Sequence, residues 1–440
     1  MFFSVYHSNI FKRLYMMKRD FIPKSLLTAP QILSLISRML IRINPSLGKV
    51  SLQSTFISSY LVKTMKEDTT LDLKNTMLLS LFHLIGFYHF IGERTIKFSD
   101  FTEEEIYHSY LYGYYYLKEM SPLEEIARTL LFYDKKYDPI LARRLPQVEY
   151  ASLLFSSRGI QQLIENTGGS YLSTDFENYG FSKYNHTYID NFERMDIDKV
   201  ISKKIKYGTY LNDLDEFFKS VEFTDQETES LFKLLIYIID FKSTQTVQHI
   251  IHTSGYAAAI GKELGCSKDE INELFTAGAL HDLGKVSIPN VILESTERLS
   301  PFEYRIMQMH VEETETILEG IVDEKIKEIA VRHHEKLDGS GYPNHYTHKE
   351  LTMQQRYMTI ADILSALVDK RSYKEKLSEE KIIEIFQKMA DNKQIDDFVT
   401  EFLTEKLSKL FSDMEFYSSS LSVPLGKVEI QYQEELSNEL

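Results

Sequence analysis

The stretch Leu274-Phe-Thr-Ala-Gly-Ala-Leu-His-Asp-Leu-Gly-Lys285 is the most informative part of this 440-residue chain. Its first seven residues are mostly small and apolar, which predicts the last turns of a buried helix. His281 and Asp282 follow directly. Burying an imidazole beside a carboxylate costs free energy unless hydrogen bonds or a metal ion compensate the pair. The pair alone therefore leaves two interpretations open, a hydrogen-bonded core pair and metal ligation.

More histidines and a second aspartate lie in helical contexts on both sides of this pair. His249 lies on an upstream segment with an apolar stripe, and Asp362 lies in an otherwise apolar helical stretch, where a carboxylate requires a partner. Neighbouring helix residues point about 100° apart, so the consecutive His333 and His334 could address two different metal ions. The full set is His249, His281, Asp282, His310, His333, His334 and Asp362.

This donor set predicts a centre of two metal ions. Imidazole and carboxylate ligands suit iron, manganese, nickel, cobalt or zinc better than calcium or magnesium. An aspartate shared between two ions makes a centre that generates hydroxide and aligns a phosphate for in-line displacement. The residues themselves leave the identity of the metal open.

The rest of the sequence predicts helices, because charged residues recur between apolar ones at three- and four-residue spacing. The chain is 43% hydrophobic and 26% charged, an ordinary globular balance. Its net charge of -15 argues against a protein that coats nucleic acid or anionic membrane. The single Cys266 allows no intrachain disulfide. Without a secretory signal or an apolar run of membrane-spanning length, we expect a soluble, cytoplasmic, all-α protein.

Two motifs together resemble the HD-GYP family, bacterial phosphodiesterases of cyclic di-GMP within the HD superfamily. They are His281-Asp-Leu-Gly-Lys285 and His333-His-Glu-Lys-Leu-Asp-Gly-Ser-Gly-Tyr-Pro343, and the second is long and specific. The likeness covers about 222–418. It implies a helical bundle of HD-GYP type in which the seven residues above hold two divalent transition metals, with iron or manganese favoured. Asp282 would be the bridging carboxylate.

The resemblance also implies where the substrate binds. Lys285 matches the motif lysine that holds a phosphate oxygen, and Arg371 and Lys374 match a basic pair that grips the phosphates. The Gly341-Tyr342-Pro343 turn matches a loop that shapes the substrate pocket and serves partner contacts. The structural alternatives are a helix C-terminal cation for Lys285 and solvated surface charges for the basic pair. Glu335 is expected to orient a ligand histidine or the loop.

Two positions depart from the family pattern. Members with a third metal carry a glutamate four residues before the first histidine ligand, where this chain has Gln245. A neutral amide is a poorer ligand, so we expect two ions. Ser365 stands where many members have a second aspartate, and we attach no consequence to it because that position is not a ligand in the pattern.

The N-terminal half contains a weaker version of the same pattern. Leu78-Leu-Ser-Leu-Phe-His-Leu-Ile-Gly86 parallels Ala277-Gly-Ala-Leu-His-Asp-Leu-Gly284, and Tyr133-Asp-Lys-Lys-Tyr-Asp138 parallels His333-His-Glu-Lys-Leu-Asp338. Leucine replaces the aspartate, and Tyr-Asp replaces the histidine pair. We expect a degenerate HD-like repeat that serves regulation or packing and cannot hold the same metals. An accidental alignment of two helical regions is the alternative.

These patterns divide the chain into four parts. The tail has alternating Val428, Ile430 and Tyr432, which predict a partly extended segment. The parts are a degenerate HD-like helical domain (1–165), an irregular connection with a linker helix (166–221), an HD-GYP catalytic domain (222–418) and a C-terminal tail (419–440).

The expected function is a metal-dependent phosphodiesterase that hydrolyses cyclic di-GMP to pGpG and, after a second hydrolysis, GMP. Its partner would be cyclic di-GMP, without a nucleic-acid polymer or a membrane, while signalling partners at the Gly-Tyr-Pro loop and a homodimer are compatible with the resemblance. Two alternatives are open: an HD phosphohydrolase of another nucleotide, and a non-catalytic adaptor that binds cyclic di-GMP.

Overall fold

The computed structural model describes residues 21–65, 69, 71–91, 100–133, 135–178, 184–368, 377–423 and 425–439. Within these ranges all regular secondary structure is helical, and the only β-type pairing is an isolated bridge between Asp338 and Thr347. The all-α prediction is therefore confirmed. No helix in these ranges combines the length and the apolar character that crossing a membrane would require.

The N-terminal half consists of eleven α-helices and one 3₁₀ helix among its described residues. They are α1 (Ala29–Ile43), α2 (Pro45–Met65), α3 (Leu73–Phe82), α4 (Ile85–Ile91), α5 (Glu103–Met120), the 3₁₀ helix Glu124–Phe132, α6 (Pro139–Ala142), α7 (Pro146–Thr167), α8 (Ser173–Asn178), α9 (His186–Met195), α10 (Val200–Tyr207) and α11 (Tyr210–Lys219).

The C-terminal half continues with helices of similar length. They are α12 (Asp225–Tyr237), the 3₁₀ helix Ile238–Phe241, α13 (Thr244–Glu263), α14 (Lys268–Leu280), the 3₁₀ helix Leu283–Ser287, α15 (Asn290–Leu293), α16 (Pro301–Gln308), α17 (His310–Leu318), α18 (Glu324–Val331), α19 (Met353–Val368), α20 (Glu379–Asp391), α21 (Phe398–Ser418) and α22 (Leu425–Glu439).

The same helix packing occurs in both halves. In the C-terminal half α13 packs against both α14 and α19, and in the N-terminal half α2 packs against both α3 and α7. A methyl group on Gly284 would overlap the backbone of His310, and one on Gly86 would overlap the backbone of Ser109. Both glycines permit the same close approach of a helix, so the two halves share this packing, while the HD-like repeat expected for the N-terminal half stays a prediction.

Local sequence explains where the site-bearing helix α14 begins and ends. Ser267 and Glu270 form a reciprocal capping box, in which the Glu270 amide donates to Ser267 Oγ and the Ser267 amide donates to the Glu270 carboxylate. The helix then runs through a completely buried apolar stretch to Leu280. His281 and Asp282 therefore leave the helix inside the protein rather than at its surface.

The range 166–221 is more regular than its composition indicates. Its described residues include the four short helices α8 to α11, and apolar side chains such as Phe176, Tyr188 and Phe192 are buried in the core. Helices α9 and α11 pack against α2. The segment is thus an integral layer of the N-terminal half, while the exact domain boundaries stay a prediction.

The extended conformation predicted for the tail is wrong, because α22 is helical from Leu425 to Glu439. Val428 and Tyr432 are buried one helical turn apart, while Ile430 between them is 57% exposed. Apolar residues at positions 428, 430 and 432 fit a strand, but only the four-residue pair faces the core. Helix α22 packs against α5, where His108 Nδ1 lies 2.8 Å from the Tyr432 hydroxyl.

Helix α1 joins the two halves at a surface close to the His-Asp motif. It packs against α17 and against the 3₁₀ helix that follows Asp282. The Arg42 guanidinium lies 3.1 Å from the Glu313 carboxylate, and Glu313 also accepts a hydrogen bond from Ser287. The N-terminal half thereby contacts the elements that carry Asp282 and His310.

Candidate metal centre

Five helices bring the predicted ligands together. His249 lies on α13, His281 and Asp282 follow α14, and His310 begins α17. His333 and His334 follow α18, and Asp362 lies on α19. All seven side chains converge at one place, although Asp362 is more than a hundred residues from His249 in the chain.

One side of the cluster contains His249, His281 and Asp362, whose ligand atoms all lie within 4.8 Å of one another. His249 Nε2 is 3.0 Å from Asp362 Oδ1, and His281 Nε2 is 3.6 Å from the same oxygen. The two Nε2 atoms are 3.4 Å apart. Two imidazoles and a carboxylate oxygen thus surround one point.

The other side contains His310, His333 and His334, whose ligand atoms meet the same 4.8 Å limit. His310 Nε2 is 3.5 Å from His333 Nε2. Asp282 lies between the two groups, with Oδ2 3.2 Å from His281 Nε2 and Oδ1 3.4 Å from His310 Nε2. Each group therefore has access to a different oxygen of one carboxylate.

The backbone determines which imidazole nitrogen faces the cluster. The Nδ1–H groups of His281, His310 and His333 each donate to the carbonyl three residues earlier, at 2.8, 2.6 and 2.6 Å. Their Nε2 atoms then carry lone pairs, as in most metal-binding histidines. Because lone pairs repel at 3.5 Å, the gap between His310 and His333 fits a cation better than a hydrogen bond.

The carboxylates also fit a metal-bound state. Asp282 Oδ1 is buried and accepts no hydrogen bond from any described residue. An orphaned buried carboxylate oxygen is costly, and coordination to a cation compensates it. The residues present therefore fit two transition-metal ions. They offer imidazole and carboxylate donors, the Nε2 lone pairs face the cluster, and a cation would compensate the buried Asp282 Oδ1.

The electrostatics of the cluster differ from one imidazole to the next. Burial lowers the pKa of His310 to about 4 and that of His334 to about 3, so both are neutral near pH 7, as ligands must be. Burial also opposes charge on His281, but Asp282 and Asp362 outweigh it and raise that pKa to about 9. A proton on His281 is one way to supply the positive charge that the two carboxylates require, and a metal ion is another.

Lys285 lies beside the cluster, with Nζ 2.5 Å from Asp282 Oδ2. The 3₁₀ helix that carries Lys285 is fixed by Thr314, whose Oγ1 donates to the His281 carbonyl and accepts from the Gly284 amide. The ammonium group is therefore held next to the shared carboxylate.

The Gly-Tyr-Pro turn packs directly on the histidine pair. A methyl group on Gly341 would lie 2.5 Å from the backbone of His334 and Glu335. The Tyr342 ring lies 4.6 Å from the His334 ring, and Pro343 follows it through a cis peptide bond. The buried Glu335 carboxylate accepts the amides of Asn344 and Tyr346, at 2.7 and 3.0 Å. Of the two roles expected for Glu335, holding the loop is confirmed.

Two predicted substrate contacts, Arg371 and Lys374, lie outside the described residues. Gln245, the expected substitute for a third-metal ligand, is exposed one turn before His249.

The sequence reasoning missed two residues that hold the ligands in place. Ser365 Oγ lies 3.2 Å from His249 Nδ1, so the position dismissed above orients the first histidine. Thr314 clamps the turn after His281 as described. Each lies about one helical turn from a ligand, Ser365 three residues after Asp362 and Thr314 four after His310. That spacing was the available signal.

The N-terminal half has a counterpart without these donors. His83 is buried and its Nδ1–H donates to the Ser80 carbonyl at 2.7 Å, as His281 does to Gly278. Gln161 Nε2 donates a hydrogen bond to Gln53 Oε1 at 2.9 Å. In the C-terminal half the corresponding contact is between His249 Nε2 and Asp362 Oδ1. Leu84 follows His83 in place of an aspartate. The framework is repeated, and its metal-binding side chains are absent.

The part of the chain that carries this site is similar to known proteins. Residues 233–399 match the family model described as the HD domain. The chain is 36% identical over 162 residues to 3'3'-cGAMP-specific phosphodiesterase 2 of Vibrio cholerae, covering 36% of this chain and 31% of that protein. It is 32% identical over 157 residues to the cyclic di-GMP phosphodiesterase response regulator RpfG of Xanthomonas campestris, covering 35% and 41%.

A third relative, a cyclic di-GMP phosphodiesterase of Thermotoga maritima, is 30% identical over 203 residues, covering 46% of this chain and 54% of that protein. The chain thus spans between about a third and about half the length of these curated relatives. A solved structure of a cyclic GMP-AMP-specific phosphodiesterase of Vibrio cholerae aligns with a TM-score of 0.55 at 16% identity. That alignment covers 87% of this chain and 98% of the other, so the shared fold includes the N-terminal half.

Proposed function

We propose that this chain, whose residues 233–399 form an HD domain, is a metal-dependent phosphodiesterase that hydrolyses cyclic di-GMP to pGpG and, after a second hydrolysis, GMP. The observation that carries the proposal is the convergence of five imidazoles and two carboxylates in two groups that share Asp282. Burying seven such groups together costs free energy, and metal ions would compensate that cost.

Two divalent ions, iron or manganese by the family resemblance, would fit these groups. His249, His281 and Asp362 would hold one ion, and His310, His333 and His334 the other, with Asp282 as ligand to both. Bound together, such ions supply positive charge and activated water for in-line attack on a phosphodiester.

The protein's own residues contribute positioning and charge. The Lys285 ammonium, next to Asp282, is placed to hold a phosphate oxygen through a charge-assisted hydrogen bond. The loop of Gly341, Tyr342 and Pro343 would shape the pocket, because Glu335 fixes it against the histidine pair. Arg371 and Lys374 would bind the substrate's phosphates.

The relatives' names support a cyclic dinucleotide as substrate but include two of them, cyclic di-GMP and 3'3'-cGAMP. We favour cyclic di-GMP because the Gly-Tyr-Pro motif and the basic pair resemble the family that acts on it. Hydrolysis of 3'3'-cGAMP is the second candidate, favoured by the 36% identity to the Vibrio cholerae protein of that name. A non-catalytic adaptor is disfavoured by the complete ligand set.

The test is to incubate the metal-loaded, full-length protein with cyclic di-GMP or 3'3'-cGAMP and to separate the products by chromatography. We expect linear pGpG from cyclic di-GMP, faster than cleavage of 3'3'-cGAMP. Asp282→Ala should abolish turnover and lower the bound metal, whereas Asp391→Ala, an exposed aspartate on α20, should leave both unchanged. Intact substrates, or an active Asp282→Ala variant, would contradict the proposal.

The same assay also distinguishes between the two candidate substrates and the non-catalytic adaptor. Faster cleavage of 3'3'-cGAMP would replace the favoured substrate by the second candidate and leave the reaction class intact. Nucleotide binding by a protein without metal and without turnover would identify the adaptor.

A further inference from the structure

The N-terminal half contains a cavity of about 410 Å³ between the end of the 3₁₀ helix Glu124–Phe132 and helix α7. Small-molecule sites commonly have volumes of about 300–1,000 Å³. Its walls include the rings of Phe132, Tyr137, Phe155 and Tyr184, with Lys135 and Lys136 at its edge. The cavity is therefore large enough for a small ligand and has a mixed aromatic and cationic lining.

The internal repeat allows this cavity to be compared with a pocket in the C-terminal half. By the parallel of residues 133–138 with 333–338, Lys135 and Tyr137 correspond to Glu335 and Leu337, and the pocket at Glu335, Leu337 and Arg356 has a volume of only about 10 Å³. Fourteen residues, 339–352, lead from the motif to α19. Seven residues, 139–145, make the corresponding connection to α7. The shorter connection thus lies beside the larger of the two pockets.

Aromatic rings on the cavity wall are held in fixed positions. Phe155 is 4% exposed and packs edge-on against Tyr110, with ring centroids 5.6 Å apart. The Tyr137 hydroxyl donates to the Glu149 carboxylate at 2.7 Å. Fixed aromatic faces bind planar heterocycles by stacking.

The charge around the cavity is opposite to that of the whole chain. Residues 134–144 contain four cations, Lys135, Lys136, Arg143 and Arg144, and two acids, Asp134 and Asp138, in a chain of net charge -15. Asp138 is engaged as the N-cap of α6, where it accepts the Ile140 amide at 2.8 Å. A local excess of positive charge attracts anions.

A further cation lies behind the cavity wall. Arg158, one turn after Phe155 on α7, donates to the Tyr110 hydroxyl at 2.8 Å. Its charge also acts on Tyr184, whose pKa burial raises to about 12 against the opposing effect of the guanidinium. A cation on α7 thus acts on Tyr184, a residue of the cavity wall, in addition to the lysine pair before α6.

We propose that this cavity binds a nucleoside monophosphate, with the base among Phe155, Tyr137 and Tyr184 and the phosphate at Lys135 and Lys136. The aromatic wall accounts for a planar base, and the lysine pair accounts for a phosphate. The volume lies at the lower end of the small-molecule range, which suits one nucleotide. This site is separate from the metal centre, and the inference does not depend on catalysis there.

The experiment titrates the metal-loaded, full-length protein with GMP in a calorimeter. Lys135→Glu/Lys136→Glu reverses charge at two exposed positions of the cavity edge, and we expect at least a tenfold loss of GMP affinity. Lys203→Glu/Lys206→Glu, an equal charge change at exposed positions on α10, is the matched control and should bind GMP as the unaltered protein does. Guanosine and inorganic phosphate should each bind at least tenfold more weakly than GMP.

A second variant tests the cavity without a change of charge. Ala151 lines the cavity and is buried, so Ala151→Leu adds three carbon atoms to the interior of the site. We expect the same loss of GMP binding, with folding verified by circular dichroism. Lys285→Met, at the metal centre, should leave this binding in place even where it impairs turnover.

Three results would overturn the inference. They are unchanged GMP binding in Lys135→Glu/Lys136→Glu, loss of binding in Lys285→Met alone, and binding of phosphate as tight as that of GMP, which would mean a simple anion site. None of these concerns hydrolysis, so failure here is distinguishable from failure of the phosphodiesterase proposal, which depends on Asp282→Ala.

Discussion

His83 and His281 occupy the same place in the two halves of this protein, and each donates its Nδ1–H to the carbonyl three residues earlier, at 2.7 and 2.8 Å. Both are completely buried, and both precede a turn with a glycine that lies against a neighbouring backbone. Their surroundings differ. His281 faces two other imidazoles, those of His249 and His333, and two carboxylates, whereas His83 Nε2 has no hydrogen-bond partner among the described residues.

The difference separates what builds this fold from what performs its chemistry. In the N-terminal half Gln53 and Gln161 replace the pair of His249 and Asp362, and the helices still pack in the same arrangement. Helix packing is therefore determined by apolar burial and close glycine contacts, since the ligands are dispensable for it. The metal centre requires a few additional side chains on that framework.

Replacing each histidine in turn tests this separation most strongly. His281→Gln removes a ligand and should lower turnover of a cyclic dinucleotide at least about a hundredfold, because loss of an outer-shell partner alone costs 10–100-fold. His83→Gln should leave turnover and metal content unchanged. Kinetics and metal analysis of the two variants are the measurement. A comparable loss in both would show that the halves are not chemically distinct.

Replacing the matched glycines tests the shared framework. The Cβ of Gly284→Ala would overlap the backbone of His310, and that of Gly86→Ala the backbone of Ser109. We expect each variant to lose about 3 kcal/mol of unfolding free energy, at the upper end of typical overpacking costs. Urea denaturation followed by hydrogen exchange in each half is the measurement. If only one alanine proved costly, the two frameworks would not be equivalent.

Removing the metals should affect one half only. At a free metal concentration a hundred times the dissociation constant, binding stabilises the folded state by about 2.7 kcal/mol. A chelator should therefore increase amide exchange in α13, α14 and α19 and leave α2, α3 and α7 as they were. Hydrogen exchange read by mass spectrometry is the measurement. Equal deprotection of both halves would contradict ligation confined to the C-terminal half.

The smallest expected effect is the pH dependence that His83 gives to the free energy of unfolding. Burial, aided by the charge of Arg158, lowers the pKa of His83 to about 3, so the unfolded chain takes up a proton below pH 6.5 while the folded protein does not. The contribution of His83 to the free energy of unfolding is fully present above pH 6.5 and is lost as the pH falls toward 3. Between pH 7 and 5.5 the loss should be about 1 kcal/mol.

His83→Gln should remove that pH dependence. The measurement is the urea midpoint of unfolding for the variant and for the unaltered protein, at pH 7 and at pH 5.5. We expect the two midpoints to differ less at pH 5.5. An unchanged difference between them would mean that His83 is protonated in the folded protein.

Local patterns in the sequence were sufficient to predict the helices and the seven side chains that converge in the structure. The run before His281 predicted a buried helix ending at the motif, and the structure ends α14 at Leu280. The parallel between Leu78–Gly86 and Ala277–Gly284 predicted the repeat. Such inferences work because helix periodicity, capping and motif spacing are encoded within a few turns of chain.

The tail shows where local pattern fails. Val428, Ile430 and Tyr432 fit a strand as well as a helix, and the choice depends on which of them meets α5, over three hundred residues earlier in the chain. Ser365 had no visible role until α19 placed it beside His249. These assignments depend on contacts between distant segments, which no window of sequence contains.

The sequence by itself determined the residue types available for chemistry, their helical setting and the loss of donors in the N-terminal half. Only the tertiary structure decided that Asp282 faces both histidine groups, that Glu335 holds the loop and that a cavity lies beside α7. The physical reason is that side-chain chemistry and helix period are local properties. Convergence and empty space arise when segments far apart in the chain pack against one another.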